Sequence, residues 1–149
     1  MTFDIRLLGA GDEALLLEAP ADLFDAAVDP ALAREFLGDP RHHIAVAVEG
    51  GAIIGFASGV HYVHPDKPAE LFVNEAAVLP THQRRGIATA LMQALLRHGR
   101  GLGCANAWLA TERSNTAAMA LYAALQATET VPDPVLLEFN LTRLGTGGG

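Results

Sequence analysis

The stretch Glu70 to Leu91, ELFVNEAAVLPTHQRRGIATAL, constrains this chain more than any other. It reads as a strand, a turn marked by Pro80, and a glycine that enters an amphipathic helix. Inside it, Gln83-Arg84-Arg85-Gly86-Ile87-Ala88 has the spacing Q/R-x-x-G-x-G/A. A strand that feeds a helix start leaves several backbone N–H groups without intrahelical partners. Those donors and the positive end of the helix dipole suit a phosphate. Gly86 has no Cβ, so backbone there can approach a ligand closely. Arg84 and Arg85 add charge on the same turn. The stretch therefore reads as a pyrophosphate cradle, with an ordinary strand-loop-helix carrying two solvated arginines as the alternative.

The other segments follow from pattern. Phe3 to Leu8 alternates as a first strand. Asp12 can cap a helix that runs through Ala14, Leu15, Leu16 and Leu17 and ends near Pro20, and Asp29-Pro30 opens a second helix that Gly38 ends, lined by Ala31, Leu32, Phe36 and Leu37. His43 to Glu49 and Ala52 to Val63 form a hairpin across Gly50-Gly51. With Glu70 to Leu79 they make an antiparallel meander, and Gly55 and Gly59 mark close backbone approach or a bulge. After Gly86, the apolar stripe Ile87, Ala90, Leu91, Ala94 and Leu95, continued by His98, predicts one sheet-facing helix side. Ala105 to Thr111 is the next strand, in parallel or splayed pairing after a right-handed crossover. Ser114 or Asn115 caps a helix over Thr116 to Leu125. Ala127 to Val131 and Val135 to Leu141 read as a closing strand pair. Residues 1–144 then form one domain, and 145–149 a flexible Gly-rich tail.

Composition narrows the function. A net charge of −7 argues against a nucleic-acid surface and is compatible with a cationic substrate, with an acidic surface that merely keeps the chain in solution as the weightier alternative. No apolar run reaches the roughly 18 residues of a membrane span, and no secretory signal is visible, so a cytoplasmic location is the default. The single cysteine, Cys104, reads as a small core residue. No metal site is read from the six histidines, because adjacent His42 and His43 point to opposite faces of a strand; loop or surface positions are expected for them.

The Gln83–Ala88 turn resembles the acetyl-CoA motif of the GNAT superfamily of N-acetyltransferases. Asn115-x-x-Ala118-x-x-Leu121-Tyr122 resembles a second signature of that family, and the element order β-α-α-β-β-β-α-β-α-β-β covers nearly the whole chain. The resemblance implies an α/β fold: a mixed, mostly antiparallel sheet, flanked by helices, with a splayed parallel strand pair as the acetyl-CoA slot. It implies pyrophosphate binding by N–H groups of Arg84, Arg85, Gly86, Ala88 and Thr89, beside Ile87. Main chain at Ala77, Val78 and Leu79 would pair with the pantetheine arm at a bulge. Val78 N–H would polarise the thioester carbonyl. Asn115 and Ala118 would line the cofactor, and Tyr122 would be the general acid. By helical spacing alone, Tyr122 reads as a core aromatic; the Gln83–Ala88 turn upstream favours the functional reading. One departure stands out: Gln126 occupies a position, four after the tyrosine, where the family commonly has glycine.

Glu75, three residues before Val78 and flanked by apolar residues, is the candidate base or amine ligand, with a structural pairing to Arg6 as the alternative. Glu112 is a second candidate on the acceptor side, and Asp22, Asp25, Asp29 and Glu35 are weaker ones. Glu70 is expected to be exposed. Among GNAT members, ELFVNEAAV, HQRRGIATAL and VLLEFNL look most like the aminoglycoside 3-N-acetyltransferase branch. That implies a small-molecule amine acceptor, with another small amine, a polyamine or a protein amine as alternatives. A non-catalytic acyl-CoA-binding regulatory module is the reading of another class. Family members often pair as homodimers, through last strands or exposed apolar positions.

Overall fold

A computed structural model describes residues 2–143 and 145. The tail at 146–149 lies outside the described residues. Five strands form one sheet in the order β1-β2-β3-β4-β5: β1 Asp4–Leu7, β2 His42–Glu49, β3 Ala52–Tyr62, β4 Glu70–Val78 and β5 Asn106–Trp108. The first three pairings are antiparallel and β4–β5 is parallel. This is the mixed, mostly antiparallel sheet the sequence predicts.

Two apolar clusters sit on opposite faces. On one face, α3 (Ile87–Gly101) buries Ile87, Leu91, Met92 and Leu95 against Ala45, Ala57, Leu71 and Val73. Burying a leucine of this kind contributes about 2–3 kcal/mol relative to leaving it in water. On the other face, α1 (Glu13–Leu17) and α2 (Pro30–Gly38) cover Ile44, Val46, Val48, Ile53 and Phe56. Asp29 caps α2 by accepting a hydrogen bond from Leu32 N–H at 2.9 Å. The core stripe of α2 is Ala33 and Leu37, whereas Leu32, expected inside, is 64% exposed. Cys104 is half-buried, and burial pushes its thiol pKa up, as suits a small packing residue.

Three expectations are corrected. The closing strand pair is absent: among the described residues, 127–143 hold no strand. Val135, Leu136, Leu137, Phe139 and Leu141 are each 74% exposed or more. Pro132 and Pro134 lack ladder donors, and β5 offers a further strand only a three-residue edge. The β5 strand itself is shorter than Ala105–Thr111, since only Glu70 to Phe72 of β4 pair with it. The bulge lies at Asn74 rather than near Ala77 to Leu79. Gly59 pairs with Val73 and Ser58 with Glu75, so Asn74 is the extra residue. Gly59 permits this, because a Cβ there would stand 2.7 Å from the Phe72 carbonyl oxygen.

Helix α4 (Thr116–Ala124) ends in a Schellman motif. Ala127 N–H donates to Tyr122 C=O at 2.9 Å and Gln126 N–H to Ala123 C=O at 3.0 Å. Gln126 occupies the left-handed position with φ 67°. The helix exit thus keeps a glycine-type geometry without the glycine. Gln126→Gly should raise stability by about 1 kcal/mol, read by denaturant titration.

Candidate active site

The site begins where β4 leaves β5. Past Phe72 the two strands share no ladder, so β4 from the Asn74 bulge to Val78 has one edge without a strand partner. Leu79 N–H donates to Ile54 C=O at 2.9 Å and so faces β3. Peptide groups alternate direction along a strand, so Val78 N–H and C=O face the open edge. The Gln83 side chain donates to that Val78 carbonyl at 3.4 Å.

The chain then turns through Pro80–His82, a single 3₁₀ turn, into Gly86. Arg84 (φ 64°) and Gly86 (φ 77°) are both left-handed. Gly86 is the N-cap of α3 and supplies no side-chain cap, and the first intrahelical bond runs from Ala90 N–H to Gly86 C=O at 3.0 Å. The N–H groups of Ile87, Ala88 and Thr89 therefore lack intrahelical acceptors. A Cβ built on Gly86 meets nothing within 4 Å, so the space before the turn is open. Free strand edge, uncapped helix start and open space fit a cofactor with a pantetheine arm and a pyrophosphate. The charge of Arg85, read from sequence as phosphate-directed, is instead engaged by Glu49, whose carboxylate accepts from Nη2 at 2.5 Å.

The candidate catalytic residues fall on two sides. Tyr122 is half-buried against the cluster that holds Val73, Ile87 and Leu91, and Val78 and Leu79 border the same cluster. Burial pushes its phenol pKa above the ordinary value, so it keeps its proton at neutral pH. Ala77 packs into the cluster under α1 and α2, so alternation turns Glu75 to that face. Glu75 is exposed, not buried among apolar neighbours, because β4 has no strand on its outer edge there. Glu112 is exposed in the loop before α4 and accepts from Ser114 Oγ at 3.4 Å. Asn115 caps α4: its side-chain carbonyl accepts from Ala118 N–H at 3.1 Å, and that oxygen is directed at the helix. Ala118 is half-buried.

Several features were not read from sequence. A cleft of about 120 Å³ lies on the α2 face, lined by Phe36, His42, Ser58, Phe72 and Asn74. The Trp108 ring lies tilted against Phe72, with 4.4 Å between centroids. Glu70, expected outside, is only 19% exposed at its side chain; it accepts from Tyr62 Oη at 3.3 Å and lies 3.4 Å from His64 Nε2. His43 is buried in a chain of three imidazoles, not on the surface: His98 Nε2 lies 3.0 Å from its Nδ1 and His61 Nδ1 lies 2.7 Å from its Nε2. The one signal for that chain was His98 on the apolar stripe of α3. A separate cleft of about 350 Å³, lined by Leu71, Gly99, Cys104 and Ala107, lies at the other end of α3.

Residues 13–126 match the Acetyltransferase (GNAT) family. An uncharacterised N-acetyltransferase of Mycobacterium bovis is 32% identical over 110 residues, covering 74% of this chain and 68% of that protein. A mycothiol acetyltransferase of Saccharopolyspora erythraea is 35% identical over 95 residues, covering 62% of this chain and 29% of that one. The solved structure of AAC(6')-Iy with the bisubstrate analogue CoA-S-monomethyl-acetylneamine superposes with a TM-score of 0.76 at 25% identity, covering 94% of this chain and 100% of that one.

Proposed function

This chain belongs to the GNAT acetyltransferase family, an acyltransferase family that uses acetyl-CoA, and from that premise we propose that it acetylates a primary amine of a small molecule by direct attack. The observation that carries the reading is the open edge of β4 running into the uncapped, glycine-entered start of α3. Acetyl-CoA supplies an acetyl group activated as a thioester. The N–H groups of Arg84, Arg85, Gly86, Ile87, Ala88 and Thr89 hold its pyrophosphate, and the edge at Ala77 to Leu79 aligns the pantetheine arm. Asn115 and Ala118 border the cofactor from α4. Val78 N–H, which faces the open edge, would polarise the thioester carbonyl, where charge develops during transfer. Tyr122 donates a proton to the departing sulfur. Glu75, on the α2 face, takes the amine proton or binds the ammonium before it, and Glu112 binds acceptor from the loop.

We place the acceptor among polycationic amines, with aminoglycosides as the first class to test. The net charge of −7 and the exposed Glu75 and Glu112 support it. The sequence resemblance favours acetylation at the 3-N position, whereas AAC(6')-Iy carries a 6'-type name. A thiol-release assay with acetyl-CoA against aminoglycosides, polyamines and simple primary amines tests this. Turnover with aminoglycosides is expected, and mass spectrometric mapping of the product separates 3-N from 6'. No turnover of any aminoglycoside removes that acceptor class. Tyr122→Phe should lower kcat about 10²-fold or more while CoA binding by calorimetry stays within about twofold; unchanged kcat would remove the general-acid role.

A further inference from the structure

Glu49 closes β2, and its carboxylate faces the turn between β4 and α3. Its side chain is 7% exposed. It accepts from Arg85 Nη2 at 2.5 Å and lies 3.4 Å from His82 Nε2. His82 and Arg85 flank Gln83-Arg84, the residues that bend the chain into Gly86. Thr81 Oγ1 lies 2.7 Å from His82 Nδ1. With the hydroxyl donating to Nδ1, the hydrogen on Nε2 faces Glu49. The Arg85 guanidinium also stands 5.9 Å from the Phe3 ring centre. The turn is thereby tied to the β2–β3 hairpin and to the N-terminal residues.

A carboxylate beside an anion-binding turn is adverse for the anion. Here it also engages an arginine that would otherwise be available to a phosphate. The hydrogen bond from Arg85, with a smaller contribution from His82, holds the Glu49 carboxyl below its ordinary range, so it is ionised at neutral pH. Its effect is on backbone shape. The left-handed residues Arg84 and Gly86 lie between and beside its two partners. A non-glycine residue in that conformation persists where its surroundings over-determine it.

We propose that Glu49 is a positioning residue for the cofactor pyrophosphate, pinning both shoulders of the turn so that the N–H groups from Arg84 to Thr89 converge. The inference rests on the cofactor-site reading above. Its test compares two acetyl donors, acetyl-CoA and S-acetylpantetheine, which lacks the pyrophosphate. In the wild type, kcat/KM should be higher for acetyl-CoA. Glu49→Gln should shrink that ratio roughly tenfold, through KM for acetyl-CoA, with kcat within about twofold. Arg85→Ala, at a more exposed position, should do the same, and the double variant should be no worse than either single one. A ratio unchanged in both variants overturns the proposal. So does a lower KM, which would mean that the released Arg85 binds phosphate directly. A wild type that uses both donors equally overturns the pyrophosphate reading of the turn, and this proposal with it.

Discussion

Gly86→Val should raise KM for acetyl-CoA by about 10–100-fold and weaken CoA binding in calorimetry to match. Gly86 has φ 77°, and a β-branched residue there carries a penalty of about 1–2 kcal/mol. Two effects then add. The backbone is drawn toward a right-handed conformation, which re-aims the N–H groups of Gly86 and Ile87. The valine branches also project into space that is open in the structure, where a phosphate must approach. Fold stability should fall by no more than the same 1–2 kcal/mol, because that Cβ meets no packed neighbour. Gly86→Ala should give a smaller effect in the same direction. If Gly86→Val leaves KM for acetyl-CoA unchanged, the turn does not carry the pyrophosphate.

The second large effect is with acid. Burial first, then the rings of His98 and His61, push the His43 pKa down to about 4, with His42 adding to this and Asp39 opposing it. Folded His43 is therefore neutral where the unfolded side chain, near 6.5, already takes a proton. The unfolded state binds more protons in that window, so stability is full above pH 6.5 and is lost as pH falls toward 4. The expected loss is about 2–3 kcal/mol, measured by denaturant titration at fixed salt. His43→Gln should flatten this acid limb, while costing about 1–2 kcal/mol at neutral pH through its altered hydrogen bonds. An identical acid limb in the variant would show that other groups govern it.

What sequence could reach here was local. The meander, the Gly50-Gly51 hairpin, the caps Asp29 and Asn115, and the α3 stripe all follow from neighbours a few residues apart. The parallel β4–β5 pairing follows from chain order and crossover handedness. The closing strands failed because alternation signals a strand only where an edge exists to receive it. The three-residue β5 gives little edge, and the apolar residues from Val135 to Leu141 remain exposed. The bulge was foreseen but misplaced, since its position depends on register against Gly59 and not on β4 alone.

At the site, the turn and the open edge were legible because their chemistry is backbone chemistry, announced by Gly86 and the strand-to-helix switch. The burial of Glu75 was misjudged for the reason that makes it accessible: apolar neighbours imply burial only when a further strand covers them. The Glu49–Arg85–His82 group and the His43 chain depend on contacts between residues from 18 to 55 positions apart, which no local spacing encodes.

The most direct measurement is a crystal structure of the complex with CoA. Pyrophosphate oxygens are expected within hydrogen-bonding distance of N–H groups between Arg84 and Thr89, and pantetheine amides paired along the open edge of β4 near Val78. CoA seated elsewhere, as in the cleft lined by Leu71, Gly99, Cys104 and Ala107, would contradict that placement.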